Sequence, residues 1–164
     1  MTTTPAAEVE IRDLDPHPTV AVRVTRAPQD LASVFPEYLP QIAHRVADLG
    51  GEIAGPPYAR YHRFDADLVD VEIGAPVAAP VAQLRELGEA EEGEVARSEL
   101  PGGRAAVLLH SGPYHTIGES WARLSQWIAA AGHRSAAPGW EDYIDDPETV
   151  PPAELRTELV HPIG

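Results

Sequence analysis

The sequence predicts an α+β fold built from two similar halves, each with the order strand, helix, strand, strand. Three observations support this prediction. Segments of the first half recur in order in the second, two stretches carry apolar residues at steps of three and four, and short aliphatic runs lie between turns rich in Pro and Gly. We therefore expect one antiparallel sheet with two helices on one face, a pseudo-twofold axis and a central ligand cleft.

The internal repeat is visible at three places along the chain. The matched segments are 20–28 with 105–113, 56–61 with 138–143, and 72–77 with 158–163. The offsets differ slightly, as expected after a duplication followed by small changes in loop length. We expect the 164 residues to form a single domain. Its half-repeats should lie at about 9–77 and 95–163, joined by a linker at 78–94.

The first elements of each half are predicted strands. Residues 9–12 and 19–25 alternate or run apolar as strands do, and the turn residues at 15–18 between them predict a β-hairpin. The segment Pro101-Gly102-Gly103-Arg104 is likewise interpreted as a hairpin turn.

A predicted helix follows in each half, and each ends at glycine. The first spans 31–49 and contains Pro36 and Pro40, which should kink it or separate its first turn. The second spans 117–131. Two further strands are predicted after each helix, at 58–62, 68–74, 140–144 and 155–160. The linker should be a solvated crossover with at most a short helix near 83–87.

Composition excludes several classes of function. A net charge of −14 opposes direct nucleic-acid binding, and the lack of cysteine excludes disulfides, thiol nucleophiles and Cys-ligated metals. The seven histidines show no paired metal-ligand spacing, and no phosphate-binding loop is present, so we expect neither a metal nor a cofactor. Since no apolar run is long enough to cross a membrane, we expect a soluble protein with no membrane partner. The lack of cysteine and of an N-terminal signal pattern gives secretion no support, so we expect the protein to be cytoplasmic. The oligomeric state is left open.

The segment Trp140-Glu141-Asp142-Tyr143 places two carboxylates between two aromatic residues. Strand alternation sends Glu141 and Tyr143 to one face, and Trp140 and Asp142 to the other. Glu141 could be an exposed strand residue, a hydrogen-bond partner of Tyr143, or an acid facing a ligand.

Other aromatic residues are candidates for ligand contact, with core packing as the alternative for each. Tyr58 and Tyr61 match Trp140 and Tyr143 in the repeat, whereas Ala59 stands opposite Glu141, so one acid faces the axis. The candidates near the helix starts are Phe35, Tyr38, Tyr114 and Trp121. By contrast, Glu72 and Glu158 are duplicated, which favours a structural role for both.

Five motifs together resemble the GyrI-like small-molecule-binding domain family over about residues 9–163. They are 70–77, 100–107, 110–114, 140–147 and 156–159. The resemblance implies a free-standing member whose cleft accepts bulky, aromatic, often cationic compounds, with Glu141 at the position of the family's key acid. Some such members are drug-sequestering or gyrase-protecting proteins, which links the family to drug resistance. Others are hydrolases that open the cyclopropane ring of DNA-alkylating natural products. All 12 basic residues are Arg, which is typical of a GC-rich bacterial genome.

Two functions of different classes follow. In a binding protein, Glu141 is the counter-charge of a cationic aromatic ligand and the tyrosines form walls. In a ring-opening hydrolase, Glu141 holds or activates water while Tyr143 or Tyr58 hydrogen-bonds the substrate oxygen. A third alternative, protection of a protein target such as gyrase, has only the acidic surface to support it.

Overall fold

The structure, a computed structural model, describes residues 9–164. The chain divides into two units: the first combines residues 9–14 with residues 103–164, and the second consists of residues 15–102. The strands are β1 (Glu10–Leu14), β2 (His17–Arg26), β3 (Tyr58–Phe64), β4 (Val69–Pro76), β5 (Ala96–Leu100), β6 (Gly103–Ser111), β7 (Trp140–Tyr143) and β8 (Arg156–Pro162). The helices are α1 (Val34–Asp48) and α2 (Ile117–Ala130).

The second unit is an antiparallel sheet in the order β3-β4-β2-β5, with α1 packed on β2 and β4. Val22 and Ile73 are Cα partners in this sheet and are both fully buried. Ile42 and Val46 of α1 are also buried, because a spacing of four residues puts them on one side of the helix. This apolar layer holds the helix on one face of the sheet.

The two prolines of the first predicted helix lie within one continuous helix, because α1 runs from Val34 to Asp48. A separate 3-10 helix at Pro28–Ser33 precedes α1 and ends before either of these two prolines. Pro36 lies in the first turn of α1, where a backbone N–H has no intrahelical partner. Pro40 lies inside the helix on its exposed side. The helix ends before Gly50, whose φ of 75° lies in the left-handed region.

The first unit is an antiparallel sheet in the order β1-β6-β8-β7, with α2 packed on β6. Leu108 of β6 and Leu159 of β8 are Cα partners. They form a buried cluster with Leu124 and Ile128 of α2. The predicted α+β class, with antiparallel strands and two helices, is confirmed.

Both predicted hairpins are wrong. β1 pairs with β6 instead of β2, and β5 pairs with β2 instead of β6. The connections are Asp15-Pro16 and Pro101-Gly102, and a two-residue hairpin loop needs a positive φ at its first position. Asp15 has no positive φ, and proline at 101 cannot adopt one. Each chain segment therefore continues into a strand of the other unit.

The linker is less solvated than its charge predicts. Val81 and Leu84 are buried, and the predicted helix is a 3-10 turn at Leu87–Glu89.

None of the helices among residues 9–164 is long and apolar enough to cross a membrane.

Candidate functional site

Glu141 is a buried carboxylate held between two aromatic donors. Its side chain is 4% exposed. The indole Nε1 of Trp121 donates to Oε2 at 2.6 Å, and the Tyr143 hydroxyl donates to Oε1 at 2.7 Å. Each of the two carboxyl oxygens therefore accepts a hydrogen bond from an aromatic side chain.

Strand alternation and one glycine bring these groups together. Glu141 and Tyr143 lie on the face of β7 that α2 covers, because Glu141 accepts from Trp121 of that helix and alternation puts Tyr143 on the same face. A Cβ at Gly139 would lie 3.0 Å from the Trp121 ring and 2.8 Å from the Val160 carbonyl oxygen. The indole can therefore reach Glu141 because residue 139 has no side chain.

Tyr114 extends the aromatic cluster towards the surface. Its ring meets the Tyr143 ring edge-on with centroids 5.7 Å apart, and it is 38% exposed. Burial raises the pKa of Tyr114, and the nearby charges of Asp145, Asp146 and Glu141 raise it further. A partly exposed ring beside a buried acid is suited to contact with an aromatic ligand.

His110 holds the turn that carries Tyr114. Its Nδ1 lies 2.7 Å from Ser120 Oγ, and its Nε2 lies 3.1 Å from the Pro113 carbonyl oxygen. Arg123 donates to Ser120 at 2.9 Å, so the serine hydroxyl proton is available for His110 Nδ1. The histidine thus links the end of β6 to α2 and fixes the start of the helix.

Asp142 lies on the other face of β7, as alternation predicts. Its Cα partner across the sheet is Glu158, which is ion-paired with Arg12 at 3.1 Å. Burial raises the pKa of Asp142 to about 7, and the negative charge of Glu158 adds to the increase. A hydrogen bond from Trp140 partly offsets this effect.

The second unit contains a separate buried carboxylate, Glu72, which is 1% exposed. It accepts hydrogen bonds from the Tyr58 hydroxyl, from Ser98 Oγ at 2.9 Å and from His62 Nε2 at 2.9 Å. Burial opposes its ionisation most strongly, but the three donors together lower its pKa. Burial is also the main cause that raises the pKa of Tyr58, and Glu72 adds to it. Thr19 completes the cluster at 2.9 Å from the Tyr58 hydroxyl.

Sequence reasoning missed His62 and Ser98 as partners of Glu72. The register of β3 and β4 shifts between Tyr61 and Arg63, and such a bulge redirects a side chain. A bulge leaves no recognisable pattern in a single sequence. The hydrogen bond between His62 and Glu72 therefore could not be predicted from the sequence.

The structure brings four of the predicted site residues into one cluster in the first unit: Tyr114, Trp121, Glu141 and Tyr143. Trp140 is buried in the first unit on the Asp142 face. In the second unit, Tyr58 belongs to the Glu72 cluster, and the Tyr38 hydroxyl accepts from Arg26 at 3.3 Å. Tyr61 packs edge-on against Phe64, and Phe35 is partly buried.

Cavities and metal-ligand clusters do not identify the site. A surface depression of about 430 Å³ lies on the second unit beside Gln41, Arg45 and Arg85, and contains none of the predicted site residues. In the chain from residue 9 onwards, no three His, Asp or Glu side chains converge as metal ligands do. The candidate site is therefore defined by the chemistry around Glu141.

Comparisons with solved structures show the same fold. The crystal structure of the EcmrR C-terminal domain is 19% identical with a TM-score of 0.77, covering 96% of this chain and 97% of that one. SAV2435 bound to tetraphenylphosphonium is 16% identical with a TM-score of 0.64, covering 96% and 94%. A hydrolase from Listeria innocua is 15% identical with a TM-score of 0.67, covering 98% and 94%.

The fold also matches part of a longer protein. This chain is 20% identical to EcmrR in a DNA complex, with a TM-score of 0.76, and spans only 57% of that chain. No curated protein matches the sequence. The profile of the GyrI-like small-molecule-binding domain matches residues 7–163. The chain therefore belongs to the GyrI-like small-molecule-binding domain family.

Proposed function

We propose that the protein binds bulky aromatic cations at Glu141, with Tyr143, Trp121 and Tyr114 as the aromatic contacts. The observation that carries this proposal is the buried carboxylate held by two ring donors. SAV2435, which has the same fold, is bound to tetraphenylphosphonium, a bulky aromatic cation. Sequestration of toxic compounds, and with it drug resistance, is the role that such binding would serve.

The energetics of the buried acid favour a cationic ligand. A carboxylate removed from water needs compensation, and the hydrogen bonds from Trp121 and Tyr143 contribute to it. A cation seated beside Glu141 would add charge compensation, and the faces of the surrounding rings attract cations through their quadrupoles. Affinity should therefore depend on ligand charge as well as on apolar area.

Five further aromatic residues remain candidates for ligand contact. Phe35, Tyr38 and Tyr61 are aromatic residues that are partly exposed. Tyr58 and Trp140 are fully enclosed by protein, so their contact with a ligand would require movement of their neighbours.

We also propose that the two units arose by duplication. Strand register supports this proposal, because Ala59 pairs with Ile73 in the second unit and Glu141 pairs with Leu159 in the first. The sequence repeat aligns Ala59 with Glu141 and Ile73 with Leu159, so equivalent positions are paired in both units. Duplication followed by divergence would explain why an acid stands at 141 and alanine at 59.

A ring-opening hydrolase is the second candidate function. The Tyr143 hydroxyl lies 2.7 Å from Glu141, so a base for water and a hydrogen-bond donor for the substrate oxygen are adjacent. One structure with the same fold is that of a hydrolase from Listeria innocua.

The test replaces Glu141 by Gln, which keeps the size of the side chain and removes its charge. We expect affinity for tetraphenylphosphonium, measured by calorimetry, to fall about 10-fold, while binding of neutral triphenylphosphine oxide is unchanged. Glu99→Gln is the matched control, because Glu99 is an exposed acid of the second unit. Equal affinity of the Glu141 variant and the wild type for the cation would contradict the proposal.

The hydrolase is tested with the same variant and a cyclopropane-bearing alkylating compound followed by mass spectrometry. Turnover by the wild type that falls about 10²- to 10⁴-fold in Glu141→Gln would establish Glu141 as a general base. Absence of turnover in the wild type would reject the hydrolase and leave the binding proposal in place.

A further inference from the structure

Two polar atoms near Glu141 are buried without a hydrogen-bond partner. Among residues 9–164, neither Thr157 Oγ1 nor His161 Nδ1 has one. Both residues lie on β8, two positions before and two positions after Leu159, and Leu159 is the Cα partner of Glu141. Alternation puts all of these side chains on the face that bears Glu141. Because a buried polar atom without a hydrogen-bond partner destabilises a fold, each of the two calls for an explanation.

The His161 ring presents a hydrogen-bond acceptor. Its Nε2 lies 2.7 Å from Ser135 Oγ, and the serine hydroxyl donates to the Ala137 carbonyl oxygen at 3.4 Å. Nε2 therefore carries the proton, and Nδ1 has a lone pair. Burial lowers the pKa of His161, which keeps the ring neutral at neutral pH.

The Thr157 hydroxyl has no available partner among its neighbours across the sheet. Its Cα partners are His110 on β6 and Tyr143 on β7. Both ring nitrogens of His110 already have partners, and Tyr143 donates its hydroxyl proton to Glu141. Thr157 Oγ1 is thus free to accept a further hydrogen bond.

Each unpaired atom lies beside a ring that donates to Glu141. Thr157 neighbours Tyr143 across the strands, and the His161 ring meets the Trp121 ring edge-on with centroids 6.2 Å apart. A cation seated at Glu141 would compete with the Tyr143 and Trp121 donors for the carboxylate oxygens. Displacement of either ring would then make the unpaired acceptor beside it accessible to the ligand.

We propose that the ligand carries N–H groups that donate to Thr157 Oγ1 and His161 Nδ1, so that the site selects amino-substituted aromatic cations over fully N-alkylated ones. This inference rests on the proposed function and specifies its ligand class. The two residues are four positions apart on β8, which corresponds to roughly 13 Å. The ligand should therefore be an elongated ring system with N–H groups at both ends.

The test uses two dyes with the same charge, the same ring system and the same ester. Rhodamine 123 has two primary amino groups, whereas in tetramethylrhodamine methyl ester every amino hydrogen is replaced by methyl. Binding is measured by fluorescence anisotropy. We expect the wild type to bind rhodamine 123 more tightly than tetramethylrhodamine methyl ester. Each hydrogen bond formed should contribute about a 3- to 10-fold difference in affinity.

Thr157→Val removes the hydroxyl and keeps the shape of the side chain. Its affinity for rhodamine 123 should fall about 3- to 10-fold and its affinity for the tetramethyl dye should not change, whereas Thr157→Ser should keep the preference. Because no hydrogen bond within the protein is lost, the melting temperature of Thr157→Val should equal or exceed that of the wild type. A lower melting temperature would show that the hydroxyl has a partner and would overturn the inference.

His161→Phe tests the second acceptor and retains an aromatic ring beside Trp121. Ser135→Ala is its control, because it removes the same bond to Nε2 and leaves Nδ1 in place. Only His161→Phe should lose the preference for rhodamine 123. Equal binding of both dyes by the wild type, or rhodamine 123 affinity unaffected in both Thr157→Val and His161→Phe, would overturn this inference alone. Failure of the wild type to bind either dye would instead count against the proposed function.

Discussion

Replacing Asp142 by Asn should stabilise the protein at pH 8.5 and leave its stability nearly unchanged at pH 3.5. The carboxyl group is buried opposite Glu158, and its pKa rises from 3.8 to about 7 in the folded protein. An acid with a raised pKa stabilises the fold fully below its unfolded pKa, and this contribution is lost as the pH rises through its folded pKa. The loss therefore occurs between about pH 4 and pH 7.

The size of the effect follows from the same two pKa values. A difference of one pKa unit corresponds to 1.36 kcal/mol, so ionised Asp142 should lower the free energy of unfolding by about 4 kcal/mol. Glu158 is partly exposed and can move away from the new charge, which reduces the expected value to about 2 to 4 kcal/mol. Asparagine has nearly the same shape and carries no charge, so it avoids this cost at every pH.

Urea denaturation at pH 3.5 and pH 8.5 measures the difference directly. Asp67→Asn is the control, because Asp67 is exposed and its replacement changes the net charge by the same amount. We expect Asp142→Asn to exceed this control by about 2 to 4 kcal/mol at pH 8.5 only. A gain of equal size at both pH values, or no gain at pH 8.5, would refute the assignment of a neutral buried acid.

Two further predictions concern Gly139 and Tyr58. Gly139→Ala should destabilise the protein by about 1 to 3 kcal/mol in urea and weaken tetraphenylphosphonium binding, because the new Cβ meets the Trp121 ring at 3.0 Å. Gly118→Ala, which meets nothing within 4 Å, should not destabilise the protein, and equal effects of the two changes would contradict the packing argument. Tyr58→Phe removes a donor from Glu72 and should cost about 1 to 3 kcal/mol at neutral pH. Since the lowered pKa of Glu72 stabilises the fold above about pH 4.5, this deficit should shrink in acid, and a deficit that stays constant with pH would argue against it.

The helices were predictable because their signals are local. Apolar spacing and a terminal glycine define α1 and α2 to within a few residues. Strand pairing was harder, because periodicity shows that β1 and β5 exist but not which strand each contacts. The absence of a hairpin at Pro101-Gly102 could still have been inferred, because proline's fixed negative φ excludes the positive φ that the first loop position needs.

The candidate site was predictable only in part. Alternation along one strand puts Glu141 and Tyr143 on one face, and their hydrogen bond agrees with this. The position of Trp121 over Glu141 depends on how α2 crosses the sheet, which no local pattern specifies. The unpaired atoms of Thr157 and His161 likewise become apparent only when every neighbouring donor is known.

The pairing of β1 with β6 imposes an order on folding during synthesis. The second unit, residues 15–102, is one continuous segment, so all of its strands are available for pairing once residue 102 has left the ribosome. The first unit is split along the chain, and β1 emerges roughly 90 residues before β6. At translation rates of about 5 to 20 residues per second, β1 waits roughly 5 to 20 s for its partner. During this interval its backbone N–H and C=O groups are open to pairing with other nascent chains. Glu10, Arg12 and Asp13 place charges on this strand, which would discourage such pairing until β6 arrives.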